Sequence, residues 1–213
     1  MDAVAAISAL DDPVRAAIYD HVAGHDGAVG RDDVAAALQL PRSTAAFHLD
    51  RLAASGLVTV EYRRREGRSG PGAGRPAKLY TASDEEIGVT IPDRHYDLMG
   101  RLLASAIEQS SARAEPVLDA LRGTASAAGR AAGREAGSFD AVLEATGYRP
   151  AASGDGVVMR NCPFHRLATA HTDVVCAAAH AYLCGAAEAT GGDPGDVMLE
   201  PGAGRCCVRI APR

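Results

Sequence analysis

All five cysteines of the chain lie in its last quarter, at Cys162, Cys176, Cys184, Cys206 and Cys207. The N-terminus has neither the basic region nor the apolar core of a secretory signal, so we expect these thiols to meet a reducing cytoplasm. In that compartment, cysteines serve metal binding, redox chemistry or burial rather than permanent cross-links. The distribution therefore predicts a metal or cluster site in the C-terminal part of the chain.

The spacing of these thiols indicates how they could converge. Cys162 and His165 form a Cys-x2-His pair at the start of a helix that we predict from Pro163 toward Ala189, and Cys176 lies on the same helix. Cys206 and Cys207 fall on a predicted strand, whose alternation turns only one of them toward that helix. The candidate metal ligands are Cys162, His165, Cys176, Cys206 and Cys207. Three thiolates, with a fourth ligand from His165, a second cysteine or an exogenous group, suit zinc or an iron–sulfur cluster.

Burial alone is the competing role for a free cysteine, which packs like a small hydrophobe. We assign that role to Cys184, on an alanine-rich helix. It does not suit Cys162, because the polar sequence from Asn161 to His165 is unlike a core segment.

The composition limits the size of the fold and the kinds of partner that the chain can have. The chain has 213 residues, 47% of them hydrophobic, which is enough for one substantial core or two small ones. No apolar stretch approaches the ~20 residues of a membrane span, so no membrane partner is expected. The net charge is −5, yet residues 42–78 contain eight basic residues and only three acidic ones. Such a local basic patch on an acidic protein favours a polyanionic partner.

The first eighty residues contain the helix start and stop signals of a helix-turn-helix. Asp12 and Pro13 open one helix, a glycine-bearing loop precedes another that ends near Leu38, and Pro41 precedes a third that ends at Gly56. Two period-two segments follow, 57–62 and 78–82, with a Gly-, Pro- and Arg-rich stretch between them. This pattern predicts a β-hairpin whose cationic tip is the wing of a winged helix.

These segments resemble the ArsR-type winged-helix repressors of bacteria, over residues 1 to about 83. The resemblance is carried by Leu10-Asp11-Asp12-Pro13-Val14-Arg15, Ser43-Thr44-Ala45-Ala46-Phe47-His48-Leu49 and Leu52-Ala53-Ala54-Ser55-Gly56-Leu57. It implies an exposed recognition-helix face formed by Arg42, Ser43, Thr44, Phe47 and His48. It implies a wing that carries Arg63, Arg64, Arg65, Arg68 and Arg75, and Lys78 completes the basic patch. Packing remains the alternative role for His48 and Phe47.

The middle segment, 84–137, is predicted to be a helical linker with a break at Pro116. Its apolar stripe consists of Tyr96, Met99, Leu102, Leu103, Ile107, Val117 and Leu121. We expect it to form a homodimer interface, which an inverted-repeat operator requires, or to pack on its own subunit. Residues 124–137 are predicted to be a small-residue helix or a hinge.

The C-terminal part, 138–213, is predicted to be a small α+β domain. Cys162-Pro163-Phe164-His165, the helix carrying Cys176, and Gly204-Arg205-Cys206-Cys207-Val208 resemble the sensor domain of the SUF-type repressors of iron–sulfur cluster assembly. The resemblance implies cluster ligation by Cys162, Cys176 and one of Cys206 or Cys207. His165 departs from that pattern and keeps zinc in contention.

Together these observations predict an α+β protein with a winged helix-turn-helix domain at 1–83. We expect a cytoplasmic, dimeric DNA-binding regulator, not an enzyme, controlled by an iron–sulfur cluster or by zinc. The alternatives are a regulator with structural zinc that senses an organic ligand, and a thiol enzyme with Cys162 as nucleophile and His165 as base. The second lacks an evident oxyanion site.

Overall fold

The computed structural model describes residues 3–63, 76–154, 156–200 and 206–212. The chain divides into two compact units, Met1–Val89 and Thr90–Arg213. Both combine helices with a small sheet, so the fold is α+β, as predicted. Within the described ranges, no helix is both long enough and apolar enough to cross a membrane.

The first unit is built from four helices and a three-stranded antiparallel sheet. Its elements are α1 (Ala3–Ala9), α2 (Pro13–Ala23), β1 (Val29–Gly30), α3 (Arg31–Ala37), α4 (Arg42–Ala54), β2 (Val58–Arg63) and β3 (Ala77–Ala82). The Asp12 carboxylate accepts hydrogen bonds from the backbone of Val14 and Arg15, at 2.9 and 3.1 Å, and thereby caps α2 as predicted. The strand order is β1-β3-β2.

The turn between α3 and α4 makes the helix-turn-helix. Gln39 adopts a left-handed φ of 53°, which ends α3 and redirects the chain. Apolar side chains of α2, α3 and α4, among them Ile18, Val34 and Leu49, are fully buried in one core.

The second unit is larger and mostly helical. Its helices are α5 (Tyr96–Arg113), α6 (Val117–Ala136), α7 (Phe139–Ala145), α8 (His165–Ala170) and α9 (Thr172–Ala189). Its strands are β4 (Pro150–Ser153), β5 (Gly156–Met159), β6 (Val197–Leu199) and β7 (Val208–Ile210), in the order β4-β5-β7-β6 and all antiparallel. A short 3₁₀ helix, Pro194–Asp196, precedes β6.

Glycines allow α6 and α9 to pack with their backbones in contact. A Cβ atom on Gly129 would lie 1.8 Å from the carbonyl oxygen of Tyr182, and one on Gly185 would lie 2.1 Å from that of Ser126. Neither position has room for a side chain. The segment 124–137 is therefore a helix whose small residues serve close packing, and not a hinge.

The middle segment does not stand apart as a linker. The predicted break at Pro116 is present, because α5 ends at Arg113 and α6 begins at Val117. However, Met99, Leu102 and Leu121 of its apolar stripe are buried in the core of the second unit. With Leu103, which is partly buried against the same core, four of the seven stripe residues pack within their own subunit, whereas Ile107 and Val117 are exposed.

The helix expected from Pro163 to Ala189 is two helices. His171, with φ −137° and ψ 53°, leaves the helical region between α8 and α9. The Thr172 hydroxyl donates to the carbonyl of Ala168 at 2.7 Å, which satisfies one acceptor at the break. Cys162 consequently lies in the turn before α8, while Cys176 lies in the second turn of α9.

Candidate functional site

Helix α4 presents a polar and aromatic face to solvent. Arg42 and Ser43 are exposed at its first turn, and Thr44 is half-buried. Phe47 is 55% exposed, and the guanidinium of Arg51 lies 5.6 Å from the centroid of its ring. Exposure of the Phe47 ring to water is unfavourable, and the ring does not contribute to the core. An exposed aromatic ring beside a cation therefore suits this face to contact with a partner.

His48 does not lie on that exposed face, contrary to the expectation from the resemblance. It is only 8% exposed, and its Nδ1 has no hydrogen-bond partner among the described residues. The reason is helical spacing, because Ala45, His48, Leu49 and Leu52 form the buried stripe of α4. The i, i+3, i+4, i+7 pattern was visible in the sequence and supports the packing role.

Each predicted DNA-contacting cation in the described part of the first unit has a carboxylate partner. Arg42 pairs with Asp32, and Arg63 pairs with Glu61 at 2.5 Å. These pairs are largely exposed and contribute little stability, so a phosphate can replace the carboxylate. Arg64, Arg65, Arg68 and Arg75 lie outside the described residues.

Lys78 differs from these arginines because it joins two elements. Its ammonium lies 2.5 Å from Asp50 of α4, and the Tyr80 hydroxyl donates to the same carboxylate at 2.8 Å. The hydrogen bond from Lys78 lowers the pKa of Asp50, and the same bond raises the pKa of Lys78. Lys78 therefore fastens β3 to the recognition helix, and its charge is largely balanced.

All five predicted metal-ligating residues line one open pocket in the second unit. The pocket has a volume of about 810 Å³, and its lining includes Cys162, His165, Cys176, Cys206 and Cys207. Three separate stretches of sequence supply them: the turn before α8 with the start of that helix, the helix α9, and the residues that precede β7. His165 is exposed, whereas Cys176, Cys206 and Cys207 are buried.

The expectation that only one of Cys206 and Cys207 faces the site is wrong. The strand β7 begins at Val208, so both cysteines precede it in irregular backbone that does not alternate as a strand does. Cys206 interacts with Cys162, and Cys207 interacts with Cys176. Each of the two thiols therefore has a partner at the pocket.

The thiols of Cys162, Cys206, Cys207 and Cys176 are neighbours in that order. Interaction with the Cys206 thiol raises the pKa of Cys162, and burial raises it further. Interaction with Cys162 lowers the pKa of Cys206, but interaction with Cys207 and burial outweigh it and bring the pKa to about 11. At neutral pH Cys162 and Cys206 are therefore protonated thiols.

The arrangement is one of neighbouring thiols and not of a closed coordination sphere. Among the described residues, no three His, Cys, Asp or Glu side chains are arranged to hold a metal ion. A buried polar group near the thiols, the hydroxyl of Tyr148, is nonetheless without a hydrogen-bond partner among the described residues. The pKa of Tyr148 is raised well above the usual value by burial and then by Cys206 and Cys162.

Arg94 braces the thiol-bearing turn, and sequence reasoning missed it. Its Nη1 donates to Asn161 Oδ1 at 2.5 Å and to the carbonyl of Cys162 at 2.7 Å. Asn161 in turn donates to the carbonyl of Gly147 at 2.6 Å. Nothing in the local sequence around Arg94 signals this role, because its partners lie far along the chain.

Cys184 takes no part in the pocket lining. Its sulfur lies 3.5 Å from His180 Nε2 and 3.6 Å from the carbonyl oxygen of Pro194, at the contact between α9 and the 3₁₀ helix. Burial raises the pKa of this thiol as well. The geometry agrees with the packing role assigned to Cys184.

The comparison with known protein families finds a match within the first unit. Residues 10–61 match the family model described as a helix-turn-helix domain, a span from the end of α1 to the middle of β2. No curated protein matches the chain. The fold and the family match together make the first unit a helix-turn-helix domain of a DNA-binding regulator.

Proposed function

We propose that the protein is a cytoplasmic winged-helix transcriptional regulator of the ArsR type, a repressor that acts as a homodimer on an inverted-repeat DNA operator. An iron–sulfur cluster, or alternatively zinc, occupies the thiol pocket and sets the affinity for the operator. The observation that carries this proposal is the convergence of Cys162, His165, Cys176, Cys206 and Cys207 on one pocket.

The sulfur and nitrogen donors of this pocket are of the chemical type that binds a soft metal or an iron–sulfur cluster. The four thiols would hold it as thiolates, with His165 available at the same pocket as a nitrogen ligand. The unpartnered Tyr148 hydroxyl would donate to a thiolate sulfur. When bound, such a group supplies positive charge to the thiolates, and its presence depends on iron, redox state or zinc supply.

Regulation then follows from linkage between two sites. If pocket occupancy favours one of two conformations with different operator affinities, DNA binding and occupancy change each other by the same factor. Exposed Arg42, Ser43 and Phe47 of α4 contact the DNA, together with Thr44. The arginines of the hairpin neutralise phosphates.

A regulatory role suits these thiols better than a catalytic one. A nucleophilic cysteine needs a lowered pKa, whereas the pKa of Cys162 is raised. We therefore propose that the protein is not an enzyme.

Anaerobic purification tests the proposal. We expect visible absorption with iron and sulfide, or bound zinc, and we expect Cys162→Ser and Cys176→Ser to remove it and to change operator affinity. Cys206→Ser and Cys207→Ser should each weaken retention, because both thiols line the pocket. Cys184→Ser is the matched control and should retain full content. Full metal content and unchanged DNA affinity in the Cys162 and Cys176 variants would overturn the proposal.

A further inference from the structure

The thiol pocket also carries an unbalanced positive charge. Arg94, Arg149 and Arg160 line it, and no Asp or Glu is among the described residues of its lining. Two other arginines of the second unit do have carboxylate partners, since Arg122 pairs with Asp119 and Arg130 pairs with Glu188. The pocket thus collects three guanidinium groups with no carboxylate among the described residues of its lining.

Arg149 and Arg160 face each other across the start of the β4–β5 hairpin. The register pairs Pro150 with Met159, and the backbone nitrogen of Arg160 donates to the carbonyl of Arg149 at 2.9 Å, which extends the ladder by one pair. Like charges directly opposite each other on antiparallel strands are destabilising. Arg149 and Arg160 are both exposed, so solvent screens much of this repulsion, and an anion bound between the two guanidiniums would remove the rest.

The third guanidinium is already fixed in place. Arg94 is half-buried and held by Asn161 and by the carbonyl of Cys162. A guanidinium has five N–H donors, so two hydrogen bonds from one nitrogen leave others available to an acceptor in the pocket. Its fixed position reduces the entropy lost when an anion binds.

The rest of the lining suits an organic molecule. Pro92, Pro150 and Ala168 supply apolar walls. The hydroxyls of Thr169 and Thr172 donate to the carbonyls of His165 and Ala168, so they offer only their lone pairs to a hydroxyl or other donor of a bound molecule. The volume of about 810 Å³ lies within the roughly 300–1,000 Å³ of small-molecule sites.

We propose that this pocket binds an organic oxyanion of low molecular weight, with two or more carboxylate or phosphate groups held by Arg94, Arg149 and Arg160. The site goes beyond the proposed control by a cluster or metal. It does not depend on that control, because the guanidiniums are in place whether or not the thiols hold a metal.

Calorimetric titration of the full chain at constant ionic strength tests the site, with citrate as the polycarboxylate probe and inorganic phosphate as the phosphate probe. Citrate binding alone identifies a carboxylate site, and tighter phosphate binding identifies a phosphate site. Arg149→Gln with Arg160→Gln should weaken the preferred probe by at least about tenfold, because two charge-assisted contacts are lost.

Two charge-matched variants serve as controls. Arg101→Gln with Arg113→Gln removes two exposed arginines of α5 that do not line the pocket, and should leave affinity within about twofold. Arg64→Gln with Arg65→Gln reports any probe bound at the DNA-binding surface. Equal loss in the pocket and α5 variants, or no binding of either probe to the unaltered protein, overturns the proposal. Cys176→Ser should keep probe affinity even if it loses metal, which separates this site from the proposed function.

Discussion

The guanidinium of Arg94 donates a hydrogen bond of 2.7 Å to the carbonyl oxygen of Cys162, 68 residues further along the chain. Arg94 precedes α5, whereas Cys162 lies in the turn before α8. The contact joins the beginning of the second unit to its thiol pocket. The turn that carries Cys162 is thus held by a residue outside the cysteine-bearing sequence.

Replacing Arg94 should loosen that turn. Arg94→Ala leaves the Asn161 and Cys162 oxygens without their donor, so the free energy of unfolding should fall by about 1–3 kcal/mol. Urea unfolding measures the loss. The control Arg101→Ala removes an exposed arginine and should change stability by less than about 0.5 kcal/mol. Equal stability of the two variants would contradict the bracing role.

The contact between α6 and α9 predicts opposite effects of the same substitution at two glycines. Gly129→Ala places a methyl group 1.8 Å from the Tyr182 carbonyl oxygen and should destabilise the second unit by at least about 3 kcal/mol. Gly123→Ala, in the same helix, meets only the end of Gln109 at 3.7 Å and should stabilise by about 0.5–1 kcal/mol. Thermal unfolding distinguishes them. A stable Gly129→Ala protein would contradict the close packing.

The bond between Lys78 and Asp50 predicts a pH-dependent contribution to stability. Because the pKa of Asp50 is lowered on folding, the stabilisation is present above the ordinary value of 3.8 and is lost as the pH falls below it. Asp50→Asn should therefore cost about 1 kcal/mol at pH 7, discounted for solvent exposure, and the difference from the unaltered protein should shrink near pH 3. Urea unfolding at both pH values checks this.

The control for that experiment is Glu61→Gln, which removes the exposed partner of Arg63, a carboxyl that makes no bond to Lys78 or Tyr80. It should show a smaller effect at pH 7. If the effect of Asp50→Asn did not change with pH, the carboxylate bond would not be its source.

The cationic hairpin and the recognition helix should differ in how they affect DNA binding. Replacing Arg63, Arg64 and Arg65 by Gln should weaken binding to all sequences and reduce the salt slope by about one unit per lost phosphate contact. Ser43→Ala and Thr44→Ala should instead change the preferred sequence. Fluorescence anisotropy across a salt series measures both. A triple variant with unchanged affinity and slope would rule out the wing as a phosphate-binding element.

The apolar residues left exposed on α5 and α6 should hold the proposed dimer. Ile107 is 57% exposed and Leu118 is 43% exposed. Ile107→Glu with Leu118→Glu should give a monomer by light scattering at micromolar concentration, because a charge in an apolar interface is costly. Leu199→Glu, at a comparably exposed leucine of β6, should leave the oligomeric state unchanged. A dimer that survived the double variant would exclude these residues from the interface.

Local patterns predicted the elements of the first unit well, because helix caps and helix ends depend on residues that are close in sequence. Asp12 caps α2 as predicted, and the ladder of β2 and β3 follows the two alternating segments. The sequence also predicted that the five candidate ligands lie near one another, and all five line one pocket. That convergence does not depend on the exact ends of the predicted helix.

What the sequence did not predict depends on contacts between distant residues. The alanine-rich and strand-like patterns gave no sign of the break at His171 or of the irregular backbone at Cys206 and Cys207. The partnership of Arg94 with Cys162 and the unpartnered hydroxyl of Tyr148 have no local signature. The buried position of His48 was available from its spacing, but the resemblance favoured an exposed one.

The shared carboxylate of Asp50 has a mechanical consequence for gene control. By binding both Lys78 and Tyr80, it connects the recognition helix to a strand of the hairpin, so bending α4 away from β3 would break two hydrogen bonds. Under the proposed control, a signal that bent that helix away from its own hairpin would have to supply this free energy. A signal that changed how the whole module is presented to successive turns of the double helix would leave both bonds intact.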